Sequence, residues 1–289
     1  MRQRFPEATR LGFGCASLGS RVSERAGLRA MAEAFEHGVS WFDLAPSYGD
    51  GEAETIFAGF AAGKRDRIQI CTKCGIGRAR ISGLAGRIRP LVRLALRVAP
   101  GVRGLVAARR PPTRAQQLSA NLIETSIEDS LRRLRVEQVD VYALHDPDPE
   151  DLRREEVMSA LARVRDSGKA RAIGIAGSRD AVLAAFRAGL PVGHIQVADE
   201  SDVMELTRAA PLALAPPLLV THSVFRRTDE PSSAAEKLTG ALTRNPDGVV
   251  LVSMFNKGHR DENLACVRRC EMQLSRRPAA VAQDLTGAG

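Results

Sequence analysis

The chain has 289 residues, of which 44% are hydrophobic, and a formal net charge of +8. A chain of this length can bury a large core without covalent staples, and its five cysteines are odd in number and too few for a disulfide framework. No apolar run reaches the ~18 residues of a membrane span, and the N-terminal residues lack the apolar core of a secretory signal, so we expect a cytoplasmic protein.

One pattern recurs along the chain: a short apolar run, often β-branched, leads into a loop and then into an amphipathic helical stretch. The predicted strands are residues 10–15, 39–43, 67–73, 139–144, 170–175, 194–197, 217–221 and 249–252. The predicted helices are residues 24–37, 52–62, 117–134, 152–166, 179–188, 202–209, 233–244 and 261–272. Glycine follows several of these helices, as at Gly38, Gly168 and Gly189, which is a common helix stop.

Eight strand–helix units in a chain of this length favour an α/β protein whose parallel strands close into a (β/α)8 TIM barrel. The alternative is an open doubly wound sheet, which would usually carry a glycine-rich dinucleotide turn after its first strand. Gly12-Phe13-Gly14 does not complete that GxGxxG motif. We therefore expect a single barrel over residues 1–275, followed by a loose polar tail over residues 276–289.

A long Arg-rich insertion, residues 76–116, separates the third predicted strand from its helix. Arg89, Arg93 and Arg97 recur at helical spacing and would share one helix face. This face fits either a solvated helix over the barrel mouth or a docking surface for an anionic substrate, an acidic carrier protein or a membrane surface. The insertion has no Phe, Tyr or Trp to stack on bases, so we expect no binding of single-stranded nucleic acid.

Cys71 and Cys74 have the CxxC spacing that metal sites and redox motifs share. No second pair or histidine lies at metal-ligand spacing from them, so we expect no metal site. They lie in an apolar run that is predicted to be a strand, which favours a structural role over a redox role.

Four reactive side chains fall where predicted strands two, three and four end. Asp43 ends the second strand and Tyr48 follows it in a turn, while Lys73 ends the third strand and His145 the fourth. The active sites of such barrels lie at this carboxyl end of the strands. Each residue alone has an ordinary structural explanation, but the four together form a plausible unit for carbonyl chemistry.

Reduction of a carbonyl needs a hydride donor and an acid that protonates the developing alkoxide. A free tyrosine has a pKa of ~10, and a nearby lysine ammonium should lower the pKa of Tyr48. Asp43 would keep Lys73 charged and oriented, and His145 would donate a hydrogen bond to the carbonyl oxygen. No side chain supplies a hydride, so we expect a nicotinamide cofactor.

Residues 41–54, which contain Asp43 and the Tyr48-Gly49 pair, resemble the signature of the aldo-keto reductase family. Thr72-Lys73, residues 130–145 and residues 168–174 are similar to further blocks of that family in the same order. The resemblance runs from about residue 11 to about residue 264. It implies a barrel that reduces a small-molecule aldehyde or ketone with NAD(P)H, or oxidises the alcohol, with Asp43, Tyr48, Lys73 and His145 as its catalytic residues.

The resemblance also implies an extended cofactor across the barrel mouth, without a Rossmann fold. Gln196 would contact the carboxamide, His222 would stack on the nicotinamide where the family usually has tyrosine, and Glu262 with Asn263 would contact the adenine. The whole expected cofactor-binding set is Ser178, Gln196, His222, Ser223, Phe225, Ser253, Lys257, His259, Glu262 and Asn263.

Two departures from the family pattern concern this cofactor. The family often has Ser-Asn after the fifth strand, but here Ala176-Gly177 lack side chains that could hydrogen-bond the carboxamide, which leaves Ser178 as a substitute. The usual residues for the 2′-phosphate are also displaced, although Lys257, His259 or Arg260 could bind it. We therefore favour NADPH, with NADH as the alternative.

Two other functions stay open from the sequence. A Schiff-base lyase on the same barrel would use Lys73 as its nucleophile and would need no nicotinamide. A non-catalytic barrel that only binds the cofactor would explain the altered cofactor region, but it would not require all four reactive side chains. The sequence names neither the substrate nor the oligomeric state.

Overall fold

The computed structural model describes residues 10–78, 115–211, 215–226 and 232–275. Eight parallel strands in these ranges form one closed barrel in chain order, and the last strand pairs with the first. The strands are β1 Leu11–Gly14, β2 Trp41–Asp43, β3 Gln69–Cys74, β4 Val139–His145, β5 Ala170–Ala176, β6 His194–Ala198, β7 Leu218–His222 and β8 Val249–Val252. The prediction of a closed (β/α)8 barrel, rather than an open doubly wound sheet, is confirmed.

A helix follows each strand within the described residues. These helices are α1 Glu24–Glu36, α2 Ala53–Ala61, α3 Ala120–Leu134, α4 Glu155–Asp166, α5 Arg179–Arg187, α6 Met204–Arg208, α7 Ala234–Arg244 and α8 Lys257–Ser275. Serine side chains cap the first turns of α1, α3, α5 and α7 by accepting backbone N–H bonds. Gly38, Gly168 and Gly189 follow three of the helices with positive φ, as expected for helix stops.

Some helix boundaries differ from the sequence prediction because of local capping. Helix α8 begins at Lys257, four residues earlier than expected, and Asn256 Oδ1 accepts the His259 N–H at 3.2 Å. Helix α3 begins at Ala120 because Ser119 Oγ accepts the Leu122 N–H at 3.2 Å. The prediction missed both boundaries because apolar periodicity does not show which polar side chain closes a helix end.

The strand pairing divides the core into two apolar layers. Alternate strand residues point into the barrel, and they include Trp41, Cys71, Val141 and Leu251. The other residues point outward and pack against the helices. Gly12 lies on the inner face, where a Cβ would come within 2.5 Å of Leu251, 2.8 Å of Val249 and 2.9 Å of Trp41. This glycine therefore makes room for the side chains that fill the barrel.

The CxxC pair lies on β3, where residues three apart face opposite sides of the sheet. Cys71 belongs to the layer inside the barrel, and Cys74 belongs to the layer under the helices. All five cysteines of the chain are buried and free. The two thiols therefore pack in different layers, as the structural interpretation of this motif requires. Among the described residues, no group of three or more His, Cys, Asp or Glu side chains could hold a metal ion.

The ends of the Arg-rich insertion meet just beyond β3. Ile76 and Ala115 form an antiparallel bridge, and the Gln116 N–H donates to the Gly75 carbonyl at 2.7 Å. The insertion therefore leaves and re-enters the barrel at one point. Residues 79–114, with the three arginines of the predicted basic face, lie outside the described residues, as does the predicted tail. No described helix is both long and apolar enough to cross a membrane.

Candidate active site

The four predicted catalytic side chains meet at the carboxyl end of the barrel. Asp43 is the last residue of β2, Lys73 lies on β3 and His145 is the last residue of β4. Tyr48 begins a tight turn between β2 and α2. The next residue, Gly49, has φ 60°, and a Cβ there would lie 1.5 Å from the Leu18 carbonyl oxygen. Only glycine therefore lets this turn pack against the loop after β1.

Lys73 is the centre of a buried hydrogen-bonded cluster. Its side chain is fully buried, and Nζ donates to Asp43 Oδ1 at 2.5 Å, to the Leu44 carbonyl at 2.9 Å and to Tyr48 Oη at 3.2 Å. Tyr48 Oη also lies 3.3 Å from Asp43 Oδ2. All three hydrogens of the ammonium therefore have partners, which fixes its position beside the phenol oxygen.

The same cluster determines how its members titrate. Burial has the largest single effect on the pKa of Lys73 and would lower it, but the charge and hydrogen bond of Asp43, together with Tyr48 and Cys71, raise it overall. Burial and the Asp43 charge raise the pKa of Tyr48, although Lys73 acts in the opposite direction. The sequence-based expectation of a lowered pKa for Tyr48 is therefore not met, because burial has the larger effect.

His145 lies beside Tyr48 with the two rings edge to face, 5.8 Å apart between centroids. Burial, with the nearby Lys73 charge, lowers the pKa of His145 to about 3. Its buried Nδ1 has no hydrogen-bond partner among the described residues. At neutral pH this imidazole is therefore uncharged, and it offers one N–H donor and one acceptor.

A cavity of about 330 Å³ opens above the cluster. Its walls come from the ends of several strands and from the loop after β1. The residues that line it are Gly14, Ala16, Ser17, Arg21, Asp43, Tyr48, His145, Asp146, Ala176, Gly177, Gln196, His222, Ser223, Leu251, Val252 and Ser253. The cavity thus brings a proton donor, a neutral histidine and an amide side chain to one space.

The model of the aldo/keto reductase family matches residues 10–197 of this chain. The chain belongs to the aldo/keto reductase family. It is 29% identical over 196 residues to aldo-keto reductase YhdN of Bacillus subtilis (strain 168), an alignment that covers 66% of this chain and 50% of that protein. It is 32% identical over 180 residues to a 6-dehydroglucose reductase of Agrobacterium fabrum, which covers 60% of this chain and 51% of that protein. The chain therefore spans about half the length of these curated relatives.

Among solved structures, the barrel resembles an aldo-keto reductase of Klebsiella pneumoniae in complex with NADPH, with a TM-score of 0.62. The two chains are 18% identical, and the superposition covers 93% of this chain and 90% of the other. At this identity the similarity establishes the fold, and it extends through the C-terminal part of the chain that the family model does not match.

Four of the residues expected to bind the cofactor in this protein line the cavity. Gln196, His222, Ser223 and Ser253 do so, and His222 Nδ1 lies 2.8 Å from Ser223 Oγ. A second recess of about 310 Å³ shares Ser223 and Ser253 with the cavity and continues past Phe225. The two spaces together form a groove from Tyr48 across the ends of β7 and β8, which suits an extended ligand.

The other expected cofactor residues lie outside the cavity. Ser178 caps α5, where its Oγ accepts the Ala181 N–H at 3.2 Å, so the structure does not bring it to the site as the sequence suggested. The remaining four lie on α8: Lys257, His259, Glu262 and Asn263.

Arg260 is not available for a 2′-phosphate, contrary to one sequence-based suggestion. It is 3% exposed, and it pairs with Glu33 and donates to the Met254 carbonyl. Lys257 is exposed and bonds Asp261 Oδ2 at 2.6 Å one turn away. Of the three side chains suggested for the 2′-phosphate, Lys257 and His259 are thus exposed and accessible to it.

The sequence analysis missed two charged residues that line the cavity. Arg21 lies in the loop after β1, where its Nη2 donates to Ser17 Oγ at 2.7 Å. Asp146 directly follows His145 and adopts a left-handed backbone, with φ 48°. Asp146 lines the same cavity as His222. Burial lowers the pKa of His222, and the charges of Asp43 and Asp146 oppose this shift. The position of Asp146 immediately after a strand-end histidine was the signal that could have identified it.

Proposed function

We propose that this protein reduces an aldehyde or ketone with NAD(P)H, or catalyses the reverse oxidation of an alcohol. The observation that supports this activity best is the hydrogen-bonded cluster of Asp43, Lys73 and Tyr48. Asp43 and Tyr48 line the cavity together with His145, and Lys73 lies buried behind them. The alignments cover about half the length of the curated relatives, so we propose this activity for the chain rather than transfer it from them.

In this proposal Tyr48 is the general acid. Its raised pKa keeps the phenol protonated until its Oη donates the proton to the carbonyl oxygen of the substrate. The Lys73 ammonium, 3.2 Å away, stabilises the phenolate that remains, and Asp43 holds Lys73 charged. The neutral His145 donates its N–H to the same carbonyl oxygen and orients the substrate. A bound nicotinamide would supply the hydride to the carbonyl carbon.

The residues of the groove fit a nicotinamide cofactor. Gln196 is 4% exposed, and its Oε1 has no donor among the described residues, so a ligand amide would satisfy it. His222, Ser223 and Ser253 would complete the nicotinamide end, and the recess past Phe225 would take the diphosphate.

NADPH is the proposed form of the cofactor, with NADH as the alternative. Lys257 and His259 are exposed in the first turn of α8, where the helix end also favours an anion. Glu262 and Asn263, farther along the same helix, would contact the adenine. The NADPH in the related Klebsiella structure also supports this choice.

The Schiff-base lyase is the weaker proposal because of the state of Lys73. A Schiff-base nucleophile must be an unprotonated amine, and such lysines usually have a lowered pKa. Here the pKa of Lys73 is raised, and all three of its hydrogens have acceptors. The ammonium is thus held in its unreactive form.

We propose a small-molecule carbonyl compound as the substrate, as the name of the related 6-dehydroglucose reductase also suggests. The basic insertion still predicts an anionic substrate or carrier. Replacement of Arg89, Arg93 and Arg97 by Gln should then reduce turnover of anionic carbonyl compounds and spare neutral ones. If the variant turned over anionic carbonyl compounds as fast as the wild type does, the proposal of an anionic substrate would be wrong.

The first experiment is a titration of the protein with NADPH and with NADH. Energy transfer from Trp41, the only tryptophan, to the bound nicotinamide reports binding. Saturable binding would support the cofactor, and the tighter nucleotide would identify the natural form. If neither nucleotide binds, the proposed reductase activity is wrong.

The second experiment tests Tyr48 as the acid, with aldehyde-dependent oxidation of the reduced nucleotide as the assay. Tyr48→Phe should lower kcat by at least about 100-fold, the usual contribution of a positioned general acid, while cofactor affinity is retained. Tyr142→Phe is the matched control, because Tyr142 is buried on β4 outside the cavity and donates to the Ile123 carbonyl at 2.8 Å. Its turnover should stay close to that of the wild type. Equal turnover by both variants would exclude Tyr48 as the acid.

A further inference from the structure

The wall of the cavity at the end of β5 carries no polar side chain. Ala176 and Gly177 form this wall, and both line the cavity. The ends of the two neighbouring strands are different: Asp146 follows β4, and Gln196 lies on β6. An apolar strip is thus flanked by a carboxylate on one side and an amide on the other.

Backbone hydrogen bonds fix these three strand ends relative to one another. The Asp146 N–H donates to the Ala176 carbonyl at 2.7 Å, and the Gly177 N–H donates to the Gln196 carbonyl at 3.0 Å. Asp146 is also held in the left-handed region, which is uncommon for a residue other than glycine and which aspartate tolerates. The backbone from which the exposed Asp146 side chain extends is therefore held by the barrel.

The Asp146 carboxylate lies beside Gly177. A Cβ at Gly177 would be 3.2 Å from Asp146 Cα and 3.3 Å from Asp146 Oδ1. The carboxylate thus lies against the space that a side chain at Gly177 would use. Within the described ranges, no group donates a hydrogen bond or forms an ion pair with this carboxylate, whereas Asp43 in the same cavity is paired with Lys73.

Gln196 presents a second acceptor on the other side of the strip. Its Oε1 is buried and has no donor in the described part of the chain. A ligand that satisfies both oxygens presents one hydrogen-bond donor to each of them. A primary carboxamide does this with its single NH2 group, and its planar shape suits an apolar wall without side chains.

We propose that Asp146 is a cofactor-binding residue, which accepts a hydrogen bond from the carboxamide NH2 of the nicotinamide while Gln196 accepts the other. This inference rests on the proposed function, because it requires a nicotinamide in the cavity. Asp146 then supplies, from the end of β4, an interaction that Ala176 and Gly177 cannot make from the end of β5.

The test compares NADP⁺ with its 3-acetylpyridine analogue, in which a methyl group replaces the carboxamide NH2. The dissociation constant of each nucleotide is measured by calorimetry, which needs no turnover. Loss of the bonds to the charged Asp146 and to Gln196 should make the wild type bind the analogue about tenfold or more weakly.

The variant Asp146→Gly removes the carboxylate without backbone strain, because glycine adopts positive φ freely. It should lose most of the preference for NADP⁺ over the analogue. Asp146→Asn keeps a neutral acceptor and should show an intermediate preference. Asp247→Asn is the matched control, because Asp247 is exposed just before β8, at the opposite end of the barrel from the cavity. This variant should prefer NADP⁺ over the analogue as strongly as the wild type does.

Three outcomes overturn the inference. In the first, Asp146→Gly keeps the full preference for NADP⁺. In the second, it weakens the binding of both nucleotides by the same factor, which would mean a general effect or a role toward the substrate. In the third, the wild type binds neither nucleotide, which would overturn the proposed function as well. The first two outcomes leave that function intact, so the two failures can be distinguished.

Discussion

Acid should destabilise this protein through His194, which lies inside the barrel. His194 is fully buried on β6 and stacks on Trp41, with ring centroids 5.7 Å apart and an interplanar angle of 10°. Neither ring nitrogen has a hydrogen-bond partner within the described residues. Burial, with a further contribution from the Lys73 charge, lowers the pKa of this histidine to about 3.

The sign and the size of the effect follow from proton linkage. The folded protein keeps His194 neutral down to a pH of about 3, whereas the unfolded chain binds a proton below a pH of about 6.5. The contribution of His194 to the free energy of unfolding is therefore fully present above the pKa of the unfolded chain. It decreases as the pH falls toward the lower pKa of the folded protein. A pH of about 5 lies ~1.5 units below the pKa of the unfolded chain, so His194 should lower the free energy of unfolding there by about 2 kcal/mol.

The assay is urea unfolding, followed by Trp41 fluorescence at a pH of about 7.5 and again at about 5. His194→Gln should lose about 2 kcal/mol less than the wild type between the two conditions, because the variant has no group to titrate at this position. The contribution of His145 has the same sign and is common to both proteins. His37→Gln, an exposed change on the surface after α1, is the control. If His194→Gln and the wild type lost the same stability, the buried neutral histidine would not be the cause.

Three further predictions concern charged side chains. Lys73→Met should lower turnover at least about 100-fold and also reduce stability in urea, because it leaves Asp43 buried without its partner. Glu54→Gln should lower the free energy of unfolding by about 3 kcal/mol, because Glu54 is 1% exposed and accepts hydrogen bonds from Thr72 and Arg133. The control is Glu128→Gln, which removes an exposed ion pair with Lys169 and should leave the urea midpoint nearly unchanged. Lys257→Gln should weaken the binding of NADPH and not that of NADH, and equal weakening of both would exclude Lys257 from the 2′-phosphate site.

The sequence alone was sufficient to predict the barrel and the end of the barrel at which Asp43, Lys73 and Tyr48 meet. The alternation of apolar strands and amphipathic helices is a local property, and so is the direction of each strand residue, which alternates along the chain. These rules place Asp43, Lys73 and His145 at the same end of neighbouring parallel strands. The partners of Lys73 then follow from strand order without any knowledge of exact distances.

The tertiary structure decided the properties that depend on residues far apart in the chain. Arg260 lies in a stretch that suggested phosphate binding, but it packs against Glu33 of α1, 227 positions away. Ser178 caps a helix, and the carboxylate beside Gly177 comes from Asp146, the residue that follows β4. The raised pKa of Tyr48 has the same origin, because burial depends on how completely the closed barrel excludes water. Local patterns determine which elements form and which way their side chains point, whereas closure of the barrel determines which side chains meet.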